Sequence, residues 1–285
     1  MWRANVVKRS VNWWDVLRAG LVGASQATAS AVESKLRHEA RNFSVAAAGA
    51  VLMLIERPAV LPLARFVENH RWGLLKQLRL PLWAEVLLAV VMLDYTLYVW
   101  HYLTHKIPFL WRFHVVHHLD LDLDASTALR FHFGELALSV PWRAAQLSII
   151  GVASSSYLTW QTLVFLSIMF HHSNLELPIG LERQLNRLLV TPRMHGIHHS
   201  MVERETNSNW SSGLTVWDSL HGTLHLNVPQ DQITIGVPAF CEPKEVTLPK
   251  VLRLPFRKQR SSWKFAEGKQ PTRARMDTPE HHLLS

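Results

Sequence analysis

Seventeen histidines in 285 residues are the feature of this sequence that most needs a chemical account. Eight of them fall into three clusters: His101 and His105 spaced HxxxH, then His114, His117 and His118 as HxxHH, then His195, His198 and His199 as HxxHH again. On a helix, positions i, i+3 and i+4 share one face, so each cluster can present its imidazoles in one direction. A divalent ion commonly takes three or four imidazoles, so eight in convergent clusters predict two ions rather than one. Neutral imidazole suits iron, zinc and copper alike, and the spacing does not choose among them. A single histidine is more often a satisfied core or surface residue, but three such clusters in one chain reverse that reading. His38, His70, His281 and His282 have no such company and are expected at the surface. His221 and His225, in WDSLHGTLH, repeat the HxxxH spacing, yet Gly222 argues against a helix and the pair reads as structural.

The elements that must position these clusters are apolar. Residues 43–55 are apolar until Glu56, Arg57 and Pro58 interrupt them, which predicts a marginal span or half-inserted arm. Residues 82–100, LWAEVLLAVVMLDYTLYVW, approach span length; Glu85 and Asp94 within them should face protein rather than lipid. Residues 136–170, broken near Ser154–Ser156, suit a helical hairpin. An even number of crossings returns the chain to its starting side, placing residues 101–134 and 171–285 on one aqueous face. The expected organisation is a basic helical lead at 1–42, membrane hairpins with a histidine-box catalytic domain at 43–228, and a Pro-rich basic tail at 229–285. In fold class this is an all-α integral membrane protein of helical hairpins, with a cytosolic histidine-rich helical cap carrying a dimetal site. The lead carries an apolar cluster of Trp13, Trp14, Val16 and Leu17. The tail is expected to be poorly ordered after a short strand at 233–237.

Composition narrows the function. The single cysteine, Cys241, excludes an intramolecular disulfide framework, a cysteine zinc finger and a protein-held iron–sulfur cluster. The chain is 48% hydrophobic and 18% charged, its mean hydropathy is +0.03, and it carries a net charge of +8. Lys and Arg concentrate before residue 43 and after residue 182, and the stretch 135–182 holds only Arg143. Basic ends around an apolar centre fit a positive-inside, multi-pass membrane protein with histidine boxes and termini on the cytoplasmic side, in a bacterial inner membrane or the endoplasmic reticulum. No basic stripe interleaved with aromatics points to nucleic acid. Arg3, Lys8, Arg9, Asp15 and Arg18 leave no apolar run for a signal peptide, so secretion is not expected.

Three further features lie around the clusters. Asp94, Tyr98, His101 and His105 follow i, i+4, i+7, i+11, one stripe of one helix, so Asp94 could orient His101 or simply bond a neighbouring helix. Asp120, Asp122 and Asp124 alternate with leucines and read as a solvated loop or edge strand. Arg130 and Glu135 are expected to pair around His132, whose role as ligand or orienting partner is open, as is that of His171.

Taken in order, these residues resemble the fatty acid hydroxylase/sterol desaturase superfamily of membrane di-iron oxygenases. The resemblance starts at Asp94-Tyr95, Tyr98 and His101 and runs through His105, Trp111, His114, His117-His118 and Arg130-x-His132 to Glu135. It resumes at His172-Ser173-Asn174 and Thr191-Pro192-Arg193-Met194-His195-Gly196-Ile197-His198-His199-Ser200, and closes with Asn209, Trp217-Asp218 and Gly222-Thr223. Tyr102, Phe133, Trp210 and His221 depart from the usual pattern beside the boxes, not within them. The resemblance implies two iron ions, with zinc as a substitute, and adds His172 to the metal-binding histidines. It also implies O2, two electrons and hydroxylation or desaturation at a C–H bond of a sterol, fatty acyl or related lipid drawn from the bilayer. No dinucleotide fingerprint, flavin motif or haem site is present, so a separate reductase or electron-donor protein is expected. The competing reading is a histidine-rich divalent-metal transporter or metal-binding membrane protein, which would hold its ligands near the bilayer midplane. A zinc hydrolase would be expected to show HExxH, which is absent.

Overall fold

A computed structural model describes residues 35–272; the lead around Trp13 and Trp14 and the tail histidines His281 and His282 lie outside the described residues. Among the described residues the regular structure is helical, with two isolated antiparallel bridges, Leu189 to Leu214 and Ser200 to Ile235. In chain order the helices are α1 (Lys35–Asn69), α2 (Leu74–Gln77), α3 (Leu82–Lys106), α4 (Pro108–His118), α5 (Phe133–Ile150) and α6 (Ser154–His171). They continue with α7 (Ile179–Leu185), α8 (Pro192–His198), α9 (Glu203–Thr206), α10 (Val216–His221) and α11 (Leu248–Arg253).

The long helices form the body. At 25 residues α3 is about 37 Å long and is the one helix among the described residues long and apolar enough to cross a bilayer. It stops at Ile107, which Pro108 forces into an extended conformation, so the chain turns sharply and α4 begins with proline at its first position. That turn folds the second histidine cluster back against the first. α5 and α6, of 18 residues each, are joined at Gly151, whose positive φ of 83° closes α5 with an N–H bond to the carbonyl of Leu147. The two arms pack on different partners, α5 along α1 and α6 along α3. Around their turn the chain is close-fitting: a Cβ on Gly73 would lie 2.4 Å from the Gly151 Cα.

Several expectations change in the folded chain. α1 is one helix of 35 residues running through Pro58 and Pro62, not an interrupted arm, and it crosses the boundary expected at residue 42. Its packing along α5 supplies the tertiary support that offsets the backbone bonds lost at proline. No strand forms at 233–237; Met201 N–H donates to Thr234 O and Gly236 N–H to His199 O, so this segment clamps the end of the third cluster. Residues 237–251 are packed, not loose: Val237, Phe240, Val246 and Val251 bury against Val115, Val116 and Leu119 of and just beyond α4. Prolines there begin short turns, and the apolar side chains between them supply the burial.

The acidic run is likewise not solvated. Asp120 is fully buried and accepts from Arg41 at 3.0 Å, Arg130 at 3.1 Å, Asn42 at 2.7 Å and Thr127 at 2.7 Å. His38, expected at the surface, is buried between Asp120 and Asp124, at 3.2 and 3.4 Å. A buried carboxylate needs paired charges and donors, and α1 brings them from about 80 residues away. His70 is exposed, as expected.

Candidate metal centre

The three histidine clusters converge at the C-terminal end of α3. Two groups form, each with one ring nitrogen per residue and all of those within 4.8 Å of one another: His101, His105, His114, His118 and His198, and His117, His172, His195 and His199. The partition follows helix geometry. Position i+4 lies roughly 40° round a helix from position i, whereas i+3 lies roughly 60° the other way. So His101 with His105, His114 with His118, and His195 with His199 stay together as i, i+4 pairs, while His117 and His198, the i+3 members, cross to the opposite group. Each HxxHH cluster thereby serves both groups. α8, which carries the third cluster, is started by Thr191, whose hydroxyl accepts from Met194 N–H, and by Pro192 at its first position.

The hydrogen bonds fix which nitrogen faces inward. Nδ1–H donates to a carbonyl or carboxylate oxygen in His101 (Trp210 O, 2.7 Å), His114 (Glu135 Oε1, 2.8 Å), His172 (Ile168 O, 2.9 Å) and His198 (Ser208 O, 2.8 Å). Each such bond leaves the Nε2 lone pair free to point into the cluster, the arrangement that orients metal-binding imidazoles. Nε2 atoms then crowd together: His118 to His114 at 3.3 Å, His172 to His117 at 3.2 Å, His195 to His172 at 3.0 Å and His199 to His195 at 3.1 Å. Both ring nitrogens of His105 and Nε2 of His198 are buried with no hydrogen-bond partner. Burial, reinforced by neighbouring imidazoles, holds His117, His118, His195 and His199 well below their ordinary value of 6.5, and burial takes His198 to about 3. Buried neutral imidazoles aimed at one another are a donor set that fits divalent cations, because only a cation satisfies several lone pairs at one point.

The other sequence candidates take different places. Asp94 does not reach His101: its Oδ2 accepts from Trp217 Nε1–H at 2.7 Å and Leu214 N–H at 3.0 Å. A Cβ on Gly213 would lie 2.3 Å from Asp94 Oδ1, so the loop approaches this carboxylate at backbone distance. The carboxylate that does touch a cluster imidazole is Glu135. Its expected partner, Arg130, bonds instead to Asp120, Asn42 and the carbonyl of Val116. His132 has both nitrogens engaged, Nδ1 accepting from Gly134 N–H as the N-cap of α5 and Nε2–H donating to Leu252 O; it is outside both groups. His171 also lies outside them and packs against His195 with ring centroids 4.0 Å apart. His221 ends α10 and stacks on Tyr98 at 5.1 Å.

Sequence reasoning missed the orienting groups. Three are backbone carbonyls, which leave no mark in a sequence. Asp218 supports one of them, accepting from Trp210 N–H at 3.0 Å and Ser211 N–H at 2.9 Å and so fixing the peptide whose carbonyl receives His101.

Beside the clusters lies a cavity of about 200 Å³. One end is formed by His101, His114, His117, His172 and His195. Its walls are apolar, from Leu97 and Trp100 of α3, Leu136 of α5, and Trp160, Val164 and Ile168 of α6.

A family profile described as fatty acid hydroxylase matches residues 86–223. An ornithine lipid hydroxylase of Rhizobium tropici is 32% identical over 158 residues, covering 55% of this chain and 46% of that protein. The human cholesterol 25-hydroxylase is 29% identical over 144 residues, 49% of this chain and 51% of its own. The human alkylglycerol monooxygenase is 26% identical over 151 residues, 50% and 30% respectively. The chain thus spans about half or less of the relatives it matches. No solved structure matches it.

Proposed function

We propose that this chain, whose residues 86–223 match the fatty acid hydroxylase family profile, is a membrane lipid hydroxylase that holds two iron ions on its nine clustered histidines. The observation that carries the reading is the contact between two groups of inward-facing imidazoles and one end of an apolar cavity. His101, His105, His114, His118 and His198 would hold one ion, and His117, His172, His195 and His199 the other. A bound iron pair supplies O2 activation and the oxidising power that an unactivated C–H bond requires.

The chain's own residues do the remaining work. Glu135 and the carbonyls of Trp210, Ile168 and Ser208 hold His114, His101, His172 and His198 in the tautomer that offers Nε2. Leu97, Trp100, Leu136, Val164 and Ile168 hold an alkyl segment against the histidine end and exclude water. A lipid would reach the cavity from the bilayer. In support, α3 is of spanning length, and Leu82, Trp83, Leu87, Ile149, Phe165 and Leu166 expose large apolar side chains on α3, α5 and α6. The named relatives are hydroxylases and monooxygenases, which favours hydroxylation over desaturation. A metal transporter would need a polar path past its ligands, whereas these walls are mostly apolar.

Electrons would come from a separate protein. Trp263 lies in a segment with exposed Arg257, Lys258, Arg260, Lys264 and Lys269, and stacks on Trp111 at 5.5 Å. Trp111 in turn lies 4.9 Å from His105 and 5.5 Å from His118. This aromatic series links a basic surface, suited to an acidic carrier, with the first histidine group.

The test is metal analysis of the purified protein followed by turnover of a membrane lipid extract under 18O2 with a chemical reductant. Two iron ions per chain and a lipid product carrying one 18O atom are expected. A protein that retains iron yet yields no labelled lipid would overturn the hydroxylase reading.

A further inference from the structure

Away from the histidines, where α1 ends and α3 begins, lies a second cavity of about 460 Å³. Glu68 of the last turn of α1, Arg71, Lys76 and Arg79 of the linker with its short α2, and Glu85 of the first turn of α3 line it. Glu85 precedes His101 by 16 residues on α3, about 24 Å along the axis, so this cavity is separate from the metal centre. The corner is tightly built. Arg71 takes a positive φ of 50°, costly for a residue with a side chain; its carbonyl accepts from Gln77 Nε2 at 2.7 Å and its Nη2–H donates to Lys76 O at 2.8 Å. Gly73 beside it backs directly onto Gly151 of the turn between α5 and α6. Lys76 is buried and pairs with Glu85 at 2.5 Å, so those two charges cancel. Arg79 and Glu68 are exposed and have no side-chain partner among the described residues, and the bond from Arg71 goes to a neutral carbonyl. Arg71, Arg79 and Glu68 thus leave one net positive charge at the cavity. Trp72 and Trp83, 58% and 71% exposed, stand on either side of it in sequence, with Leu78 and Leu82 also exposed. Tryptophans beside basic residues at the end of an apolar helix of spanning length mark the headgroup level of a bilayer.

We infer that this corner is a binding site for the headgroup of an anionic phospholipid, with Arg71 and Arg79 donating to its phosphate. The planar N–H fork of a guanidinium matches phosphate oxygens in pairs, and basic pockets at the ends of membrane helices suit anionic headgroups. A zwitterionic headgroup would bring its own cation beside two guanidiniums, so the net charge of the site favours an anionic one. A phosphate ion from solution would leave Trp72, Leu78, Leu82 and Trp83 facing water, whereas a lipid covers them with its glycerol and acyl parts. The site is additional to the histidine-end cavity and does not depend on the reaction proposed there.

The experiment is native mass spectrometry of the detergent-solubilised full chain titrated with phosphatidylglycerol or phosphatidylcholine of the same acyl chains, with and without excess inorganic phosphate. Wild type should retain one phosphatidylglycerol per chain in preference to phosphatidylcholine. Arg79→Gln should weaken that retention about 5-fold, the worth of one cation at an anionic membrane surface. Glu68→Gln, which removes the opposing carboxylate, should strengthen it. Lys264→Gln makes the same charge change as Arg79→Gln on the basic surface near Trp263, and should leave retention as in wild type. Equal losses from Arg79→Gln and Lys264→Gln would mean diffuse attraction to a basic chain and overturn the site, as would equal retention of the two lipids by wild type. Displacement of the lipid by inorganic phosphate would overturn the lipid as occupant. Should Arg79→Gln fail to fold, Glu68→Gln decides: stronger retention supports the site, and unchanged or weaker retention overturns it.

Discussion

Glu135 and Asp94 are both buried carboxylates near the histidine groups, and their surroundings assign them opposite work. Glu135 Oε1 accepts directly from His114, so Glu135→Gln removes the charge that raises the basicity of that imidazole while keeping the shape. Loss of such a partner typically costs about 10–100-fold in metal affinity or activity. We expect Glu135→Gln to release metal to a competing chelator on that scale. Asp94 instead ties α3 to the loop ahead of α10 through Leu214 and Trp217. Asp94→Asn should therefore retain its metal but lose stability by about 1.5–3 kcal/mol, the usual worth of hydrogen bonds to a charged group. Chelator competition and thermal melting of the two variants measure both outcomes; metal loss from Asp94→Asn with Glu135→Gln unaffected would reverse the assignment.

α1 is joined to the segment after α4 by charge, and that joint has a pH range. Burial draws the value of His38 down, but its bond to Asp124 and the charges of Asp120 and Asp124 outweigh burial and the opposing Arg41, leaving it above the ordinary 6.5. Burial pushes Asp124 up, yet its bonds to His38 and Ser126 prevail and hold it at about 2, below the ordinary 3.8. The raised histidine contributes stability that is full below 6.5 and is lost as pH rises through its folded value. The depressed carboxylate contributes above 3.8 and is lost as pH falls toward 2. Both contributions are present between about pH 4 and 6.5. His38→Gln should thus lower the melting temperature most near about pH 5 and least near about pH 8. A deficit that grows toward alkaline pH would exclude this pairing. Arg41 and Asn42 of α1 donate to Asp120, and Asn42 accepts from Arg130, so wild type should keep α1 docked over the whole range.

Seen whole, the described chain has a charged, histidine-bearing end and an apolar body. α3 runs from a short linker with Arg71 and Arg79 exposed to Lys106 beside the histidine groups. If α3 crosses the bilayer, cysteines introduced at Arg71 and at Lys258, in a chain whose Cys241 is replaced, should label from opposite faces of sealed vesicles. Labelling of both from one face would make α3 a helix lying within the protein body.

Eight of the nine clustered histidines, the helical nature of their segments and the apolar character of their supports were legible in the sequence, because helix spacing and hydropathy are local properties, whereas His172 entered only through the family resemblance. Even the split of each HxxHH box follows from the helix angle once two centres exist. What only the tertiary structure decided is which distant group meets which. Asp94 went to Trp217 and Glu135 to His114, Asp120 was buried by α1 instead of solvated, and the proline-rich segment after 229 folded over α4. Buried charges and lone pairs must find partners wherever the chain brings them, and those partners lay some 20 to 120 residues away, beyond any pattern that spacing along one helix encodes.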